Sequence, residues 1–160
     1  METGKDPEDT HDELEEGFEE NNKIYKVNIN KSLSVDLYTT SINAGFPSPA
    51  EDHMESSLDL NQHLIKHPSA TFYVYARGDS MISSGIHDGD MLVVDRSLET
   101  KNDSIVVAII NGEFTVKSIS KINGKLYLIP HNTNYNPIEI TEEMDFEIWG
   151  VVTHSIHSVQ

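Results

Sequence analysis

The second half of the chain alternates short apolar runs with turn-forming residues. Runs at 71–76, 90–95, 104–110, 113–121, 125–129 and 147–154 are rich in β-branched and aromatic residues. Each is too short for an amphipathic helix, so each is expected to be a strand. Two Asn-Gly pairs, Asn111-Gly112 and Asn123-Gly124, separate three of them. Both residues of a tight hairpin turn must accept positive φ, which Asn and Gly do most readily. The pattern therefore predicts a meander of 104–110, 113–121 and 125–129. Gly85 and Asp88-Gly89 mark further turns, Pro130 and Pro137 punctuate a loop, and Trp149 is the large apolar anchor of the last strand. The expected fold class is mainly β, an antiparallel barrel-like or folded sheet.

Upstream the pattern weakens. Residues 23–43 are mildly apolar and β-prone, with alternation from Tyr25 to Ile29. They read as an ordinary edge strand or as an extended arm that docks elsewhere. Ser48-Pro49-Ala50-Glu51 reads as a helix start, with Ser48 as N-cap, Pro49 as the first helical residue and Glu51 as capping-box partner. Met54 and Leu58 would face inward on a short helix ending near Asp59. Residues 60–67 read as irregular, closed by His67-Pro68-Ser69.

Charge changes the picture at the start. The chain of 160 residues carries a net −16. Residues 1–22 hold ten acids against Lys5, which is −9, leaving −7 for the rest. Residues 1–22 are expected to be a disordered, solvated acidic tail, solubilising or partner-binding. Neither part attracts a phosphate backbone, so no direct nucleic-acid binding is expected. The chain has no cysteine, hence no disulfide framework and no thiol chemistry. No apolar run approaches the length of a membrane span, and the acidic start has no secretory pattern. A cytoplasmic protein is the expectation.

Candidate chemistry centres on Ser80. The apolar run 70–76 leads to it, and Gly78 allows a sharp change of direction just before it. A serine hydroxyl stays protonated near neutrality and needs an adjacent base to act as nucleophile. No histidine with an acidic orienter is evident, but Lys117 lies in Phe114-Thr115-Val116-Lys117-Ser118-Ile119, a strand-like run where a lysine is out of place. An ordinary lysine titrates at about 10.4, so only about one in 2,500 is neutral at pH about 7. A working base needs burial away from counter-charges, costing the charged form about 4 kcal/mol. The competing readings are a turn serine and a solvated strand lysine. Asp79 and Asp90 read as turn-forming. His63/His67 and His154/His157 have near-ligand spacing, but without cysteines or a third ligand motif no metal and no cofactor is expected.

Several motifs in one order carry a resemblance. Ala44-Gly45-Phe46-Pro47-Ser48-Pro49-Ala50, Leu58-Asp59-Leu60-Asn61-Gln62, His67-Pro68-Ser69-Ala70-Thr71, Gly78-Asp79-Ser80-Met81, Asp88-Gly89-Asp90 and Gly112-Glu113-Phe114-Thr115-Val116-Lys117 resemble the LexA/UmuD family of self-cleaving serine–lysine peptidases. The resemblance spans 41–154, and its UmuD branch matches best. It implies Ser80 as nucleophile, Lys117 as general base, backbone N–H groups of Ser80 and Met81 as oxyanion donors, and a scissile bond between Ala44 and Gly45. The UmuD branch generally has Cys-Gly at that bond, whereas the LexA repressors have Ala-Gly.

Three segments follow: an acidic tail 1–22, an arm 23–44 removed by self-cleavage, and a β-rich peptidase and dimerisation domain 45–160. The resemblance further implies a homodimer, cleavage promoted by a RecA–single-stranded DNA filament, and service as accessory subunit of a UmuC-type error-prone translesion polymerase in the SOS response. The alternatives are a LexA-like or phage-type repressor fragment without a DNA-binding domain and a non-catalytic interaction module of the same fold. The 44 residues before the scissile bond contain no basic recognition helix, which weighs against a repressor. A signal peptidase shares the chemistry, but no membrane anchor is apparent.

Overall fold

The computed structural model of the chain describes residues 24–26, 33–38 and 54–160. Among these residues the elements run β1 (Ile24–Lys26), β2 (Ser34–Tyr38), β3 (Met54–Asp59), α1 (Leu60–Leu64), β4 (Thr71–Tyr75), β5 (Met91–Asp95), β6 (Ile105–Ile110), β7 (Glu113–Ile122), β8 (Lys125–Ile129), β9 (Ile138–Ile140) and β10 (Phe146–Ile156). Eight strands form one sheet in the order β1-β4-β5-β10-β6-β7-β8-β9, and β2 pairs with β3 in a separate ribbon. Every neighbouring pair is antiparallel. The mainly β, folded antiparallel sheet expected from the sequence is the fold.

The meander is built by its turns. Asn111 and Gly112 take φ of 50° and 85°, and Asn123 and Gly124 take 51° and 83°. These are the left-handed values that match the twist of two strands joined by a two-residue loop. β6, β7 and β8 follow in unbroken register, with Lys117 opposite Val106 and Ser118 opposite Ile129. Lys117 therefore sits inside the sheet rather than at its rim.

β10 organises the middle, pairing with β5 on one side and β6 on the other. Its register shifts between Ile148 and Gly150 and again between Val152 and His154. Each shift changes which side chains face which side. β10 thereby serves two apolar clusters. Trp149 and Val152 pack against Ala76, Met81, Ile86, Leu92, Val94 and Val107, whereas Phe146, Ile148 and Val151 pack against Val106, Ala108, Ile119 and Leu128. The first cluster lies under the turn that carries Ser80.

The structure departs from the pattern in three places. The helix expected over 48–59 is a strand where it is described: Met54–Asp59 is β3, with Leu58 opposite Val35 and Ser57 opposite Asp36. A short helix is marginal on its own, and pairing with β2 supplies backbone partners along its length. Residues 48–53 lie outside the described residues. The stretch 60–67 is not irregular throughout but contains α1, capped by Asp59. Asp59 Oδ1 accepts from the N–H of Asn61 at 2.9 Å and of Gln62 at 3.3 Å. The third departure is β9, which no apolar run announced. Its three residues pair with β8, Leu128 opposite Ile138.

Candidate functional site

The turn after β4 is tied down at each step. Ala76 N–H donates to the Asp90 carbonyl at 2.8 Å, and Gly89 N–H donates to the Ala76 carbonyl at 2.9 Å. Gly78 takes φ +86° and donates its N–H to Asp88 Oδ1 at 2.6 Å. A side chain at that φ would strain the backbone. Met81, 3 % exposed, is locked in the core cluster beneath. A 3₁₀ turn over Ile82–Ser84 follows, entered by a bond from Ile82 N–H to the Asp79 carbonyl at 3.1 Å. Ser80 is thus held between a glycine turn and a buried anchor.

A second loop braces the same turn. Asn132 Nδ2 donates to the Asp79 carbonyl and to Asp79 Oδ2, and Tyr135 OH donates to Asp79 Oδ1 at 2.5 Å. Ser83 N–H donates to the His131 carbonyl at 2.9 Å, and the Ser84 hydroxyl hydrogen-bonds the His131 ring at Nδ1. Asp79 and Asp90 both act as turn acceptors, as their positions suggested.

β7 delivers Lys117 to Ser80. Its Nζ lies 2.9 Å from Ser80 Oγ, 3.0 Å from Thr115 Oγ1 and 2.9 Å from the Val116 carbonyl, donating to each. Among the described residues no carboxylate forms an ion pair with it. Lys117 is 9 % exposed, and burial pushes its ammonium below the ordinary lysine range. The three contacts suit both protonation states. The ammonium spends one N–H on each oxygen. The neutral amine keeps two N–H bonds, to Thr115 and Val116, and turns its lone pair to the Ser80 hydroxyl.

A cavity of about 410 Å³ opens over the pair, lined by Ser80, Met81, Lys117 and Thr115 and walled by Val74, Phe114 and Ile24. Ile24 belongs to β1, which adds to the edge of β4 with Tyr25 opposite Tyr73. Among the described residues no acceptor is bonded to the N–H of Ser80 or of Met81. Ala44 and Gly45 lie outside the described residues.

Sequence reasoning missed Thr115, Asn132 and Tyr135. Thr115 carried a usable signal, since residues two apart on a strand share a face. Asn132 and Tyr135 carried none beyond a polar loop between two prolines. Of the histidines flagged by spacing, His67 bonds Asp95 instead of joining His63, its Nδ1 donating to Asp95 Oδ2 at 2.7 Å. His157 meets His87 rather than His154. Among the described residues no helix is long and apolar enough to cross a membrane.

Residues 36–153 match the family described as Peptidase S24-like. The chain is 45 % identical over 124 residues to the protein MucA of Salmonella typhimurium, covering 77 % of this chain and 84 % of that one. It is 42 % identical over 127 residues to the protein ImpA of Shigella flexneri, covering 76 % and 82 %. To the LexA repressor of Clostridium perfringens it is 37 % identical over 101 residues, covering 63 % of this chain and 50 % of the repressor. The chain therefore belongs to the Peptidase S24-like family, as a UmuD-like member of it.

Proposed function

We propose that the protein is a serine peptidase acting on its own chain at Ala44–Gly45. Ser80 is the nucleophile and Lys117 the general base. The observation that carries this reading is the 2.9 Å contact between Lys117 Nζ and Ser80 Oγ, made by a buried lysine with no carboxylate partner among the described residues. Neutral Lys117 takes the Ser80 hydroxyl proton as Oγ bonds to the Ala44 carbonyl carbon. The resulting oxyanion is met by the N–H groups of Ser80 and Met81. The C–N bond to Gly45 then breaks, and Lys117 gives its proton to the departing amine. Water, deprotonated by Lys117, releases the acyl group and restores Ser80.

The cavity has room for a few residues of extended chain, and we assign it to the segment around Ala44–Gly45. Docking of 40–47 completes the burial of Lys117, so the site acts once its own arm is seated. The product, 45–160, is the working domain. By resemblance it is a homodimer that joins a UmuC-type polymerase subunit for translesion synthesis in the SOS response. A RecA–single-stranded DNA filament promotes the cleavage. This is a cytoplasmic role without direct nucleic-acid binding, in keeping with the net charge of −16.

The test is incubation of the purified chain at pH about 7 and about 10, with and without RecA filament, followed by intact mass. A 45–160 fragment that forms faster at high pH and is absent in Ser80→Ala and Lys117→Ala supports the dyad and the bond together. An intact chain under every condition overturns the peptidase reading.

A further inference from the structure

His87, Asp90 and His157 come together beside the Ser80 turn, from residues up to seventy positions apart. Asp90 is the fixed member, 2 % exposed. Its Oδ2 accepts from His87 N–H at 2.8 Å and Ser155 Oγ at 2.9 Å, and its Oδ1 lies 2.6 Å from His157 Nδ1. The two histidine rings face each other at 4.6 Å between centroids, inclined by 38°. His87 Nδ1 is buried, lies 3.7 Å from Asp90 Oδ2 and has no hydrogen-bond partner among the described residues. One ligand atom from each residue falls within 4.8 Å of the other two.

We propose that these three residues bind a divalent transition-metal ion of the zinc class. Two imidazole nitrogens and one carboxylate oxygen form a donor set that Zn²⁺ accepts and that Mg²⁺ and Ca²⁺, which favour oxygen, do not. Tetrahedral ligands at about 2.0–2.1 Å from zinc lie about 3.4 Å from one another. The present spacing therefore needs a small adjustment. The 3.7 Å between His87 Nδ1 and Asp90 Oδ2 is already close to that value. The 2.6 Å hydrogen bond between His157 Nδ1 and Asp90 Oδ1 would open, its proton passing to solvent as the ion enters. The rings can supply the adjustment, because His87 and His157 side chains are 43 % and 47 % exposed while Asp90 stays anchored. The ion would take the orphaned His87 nitrogen as a ligand. Asp90 would keep its bonds from His87 N–H and Ser155 Oγ, which fix the direction of the carboxylate. Exposed rings leave the remaining coordination positions to water.

Such an ion would tie the end of β10 to the 87–90 turn. Through Asp88 and Gly89 that turn holds Gly78 and Ala76, two and four residues before Ser80. The binding claim does not depend on the peptidase reading, since the three ligands lie outside the Ser80–Lys117 pair.

The experiment is calorimetric titration of the full chain with ZnCl₂ and, separately, MgCl₂ at pH about 7.5, with imidazole resonances followed by NMR. The expected result is one Zn²⁺ per chain, no Mg²⁺ uptake, and shifts confined to His87 and His157. His157 lies just beyond the last strand, so His157→Gln removes none of the strand pairing of β10, and circular dichroism of each variant checks that the fold is kept. His157→Gln and His87→Gln should each weaken Zn²⁺ binding by at least about 10-fold, whereas His63→Gln and His154→Gln should not. Equal Zn²⁺ affinity in the His87→Gln/His157→Gln double variant, or no saturable uptake by the parent chain, overturns the site.

Discussion

Asn132 donates its side-chain amide to the carbonyl oxygen of Asp79 at 3.0 Å, fixing the peptide that leads into Ser80. The same amide reaches Asp79 Oδ2 at 3.2 Å, and Tyr135 holds the other carboxylate oxygen. A loop more than fifty residues downstream thus sets the entry to the candidate nucleophile.

Asn132→Ala should therefore slow self-cleavage by about 10- to 100-fold, because small misplacement of a reacting group costs rate steeply. The pH dependence should keep its midpoint, since Lys117 is untouched. Tyr135→Phe should do less, since it leaves the Asp79 carbonyl bond in place. Rates followed by gel across pH check this; an Asn132→Ala chain cleaving at the parent rate would exclude a positioning role.

Lys117 gives a prediction about stability as well as rate. Burial lowers its pKa in the folded state, so the unfolded chain binds more protons between that value and about 10.4. Over that window folding grows more stable as pH rises. Lys117→Met, which cannot charge, should raise the denaturant midpoint at pH about 6, with the difference shrinking toward pH about 10, while abolishing cleavage. A midpoint that falls at low pH would show that the lysine's three hydrogen bonds outweigh its burial.

Asp95 works in the opposite sense. Burial would raise its carboxyl, but bonds from Ser97 Oγ at 2.6 Å, His67 Nδ1 at 2.7 Å and Ser97 N–H at 2.8 Å hold it below the ordinary range. Its contribution is present above the unfolded value of about 3.9 and disappears as pH falls through the lower folded value. Asp95→Asn should cost about 1–3 kcal/mol near neutrality and progressively less below pH about 4. Urea unfolding at a series of pH values measures both; a constant difference would locate the effect in packing instead.

Gly150 tests the junction of β10 with β5. A Cβ there would meet Val94 Cγ1 at 2.7 Å and Arg96 Cγ at 3.2 Å. Val94 is fully buried and cannot withdraw. Gly150→Ala should destabilise the domain by about 1–3 kcal/mol, as overpacking does. Thermal unfolding is the measure, and a neutral result would mean that β10 relaxes at its bulge.

The parts of this molecule legible in the sequence are those settled within a few residues. The β6–β7–β8 meander follows from two Asn-Gly pairs because only residues at ease with positive φ close such turns. The exit to Ser80 was readable from Gly78 for the same reason. The position of Lys117 was readable because a lysine interrupts an apolar strand. Other features needed the partner in space. Residues 54–59 look locally like the end of a capped helix, yet pairing with β2 makes them a strand. Asn132 and Tyr135 are ordinary loop residues until the sheet brings them to Asp79. His87 and His157 share no motif spacing and meet because β10 runs beside β5. Local backbone preference is written in neighbouring residues. Which distant groups share a buried space is decided by the register of the sheet, and that register is a property of the whole fold.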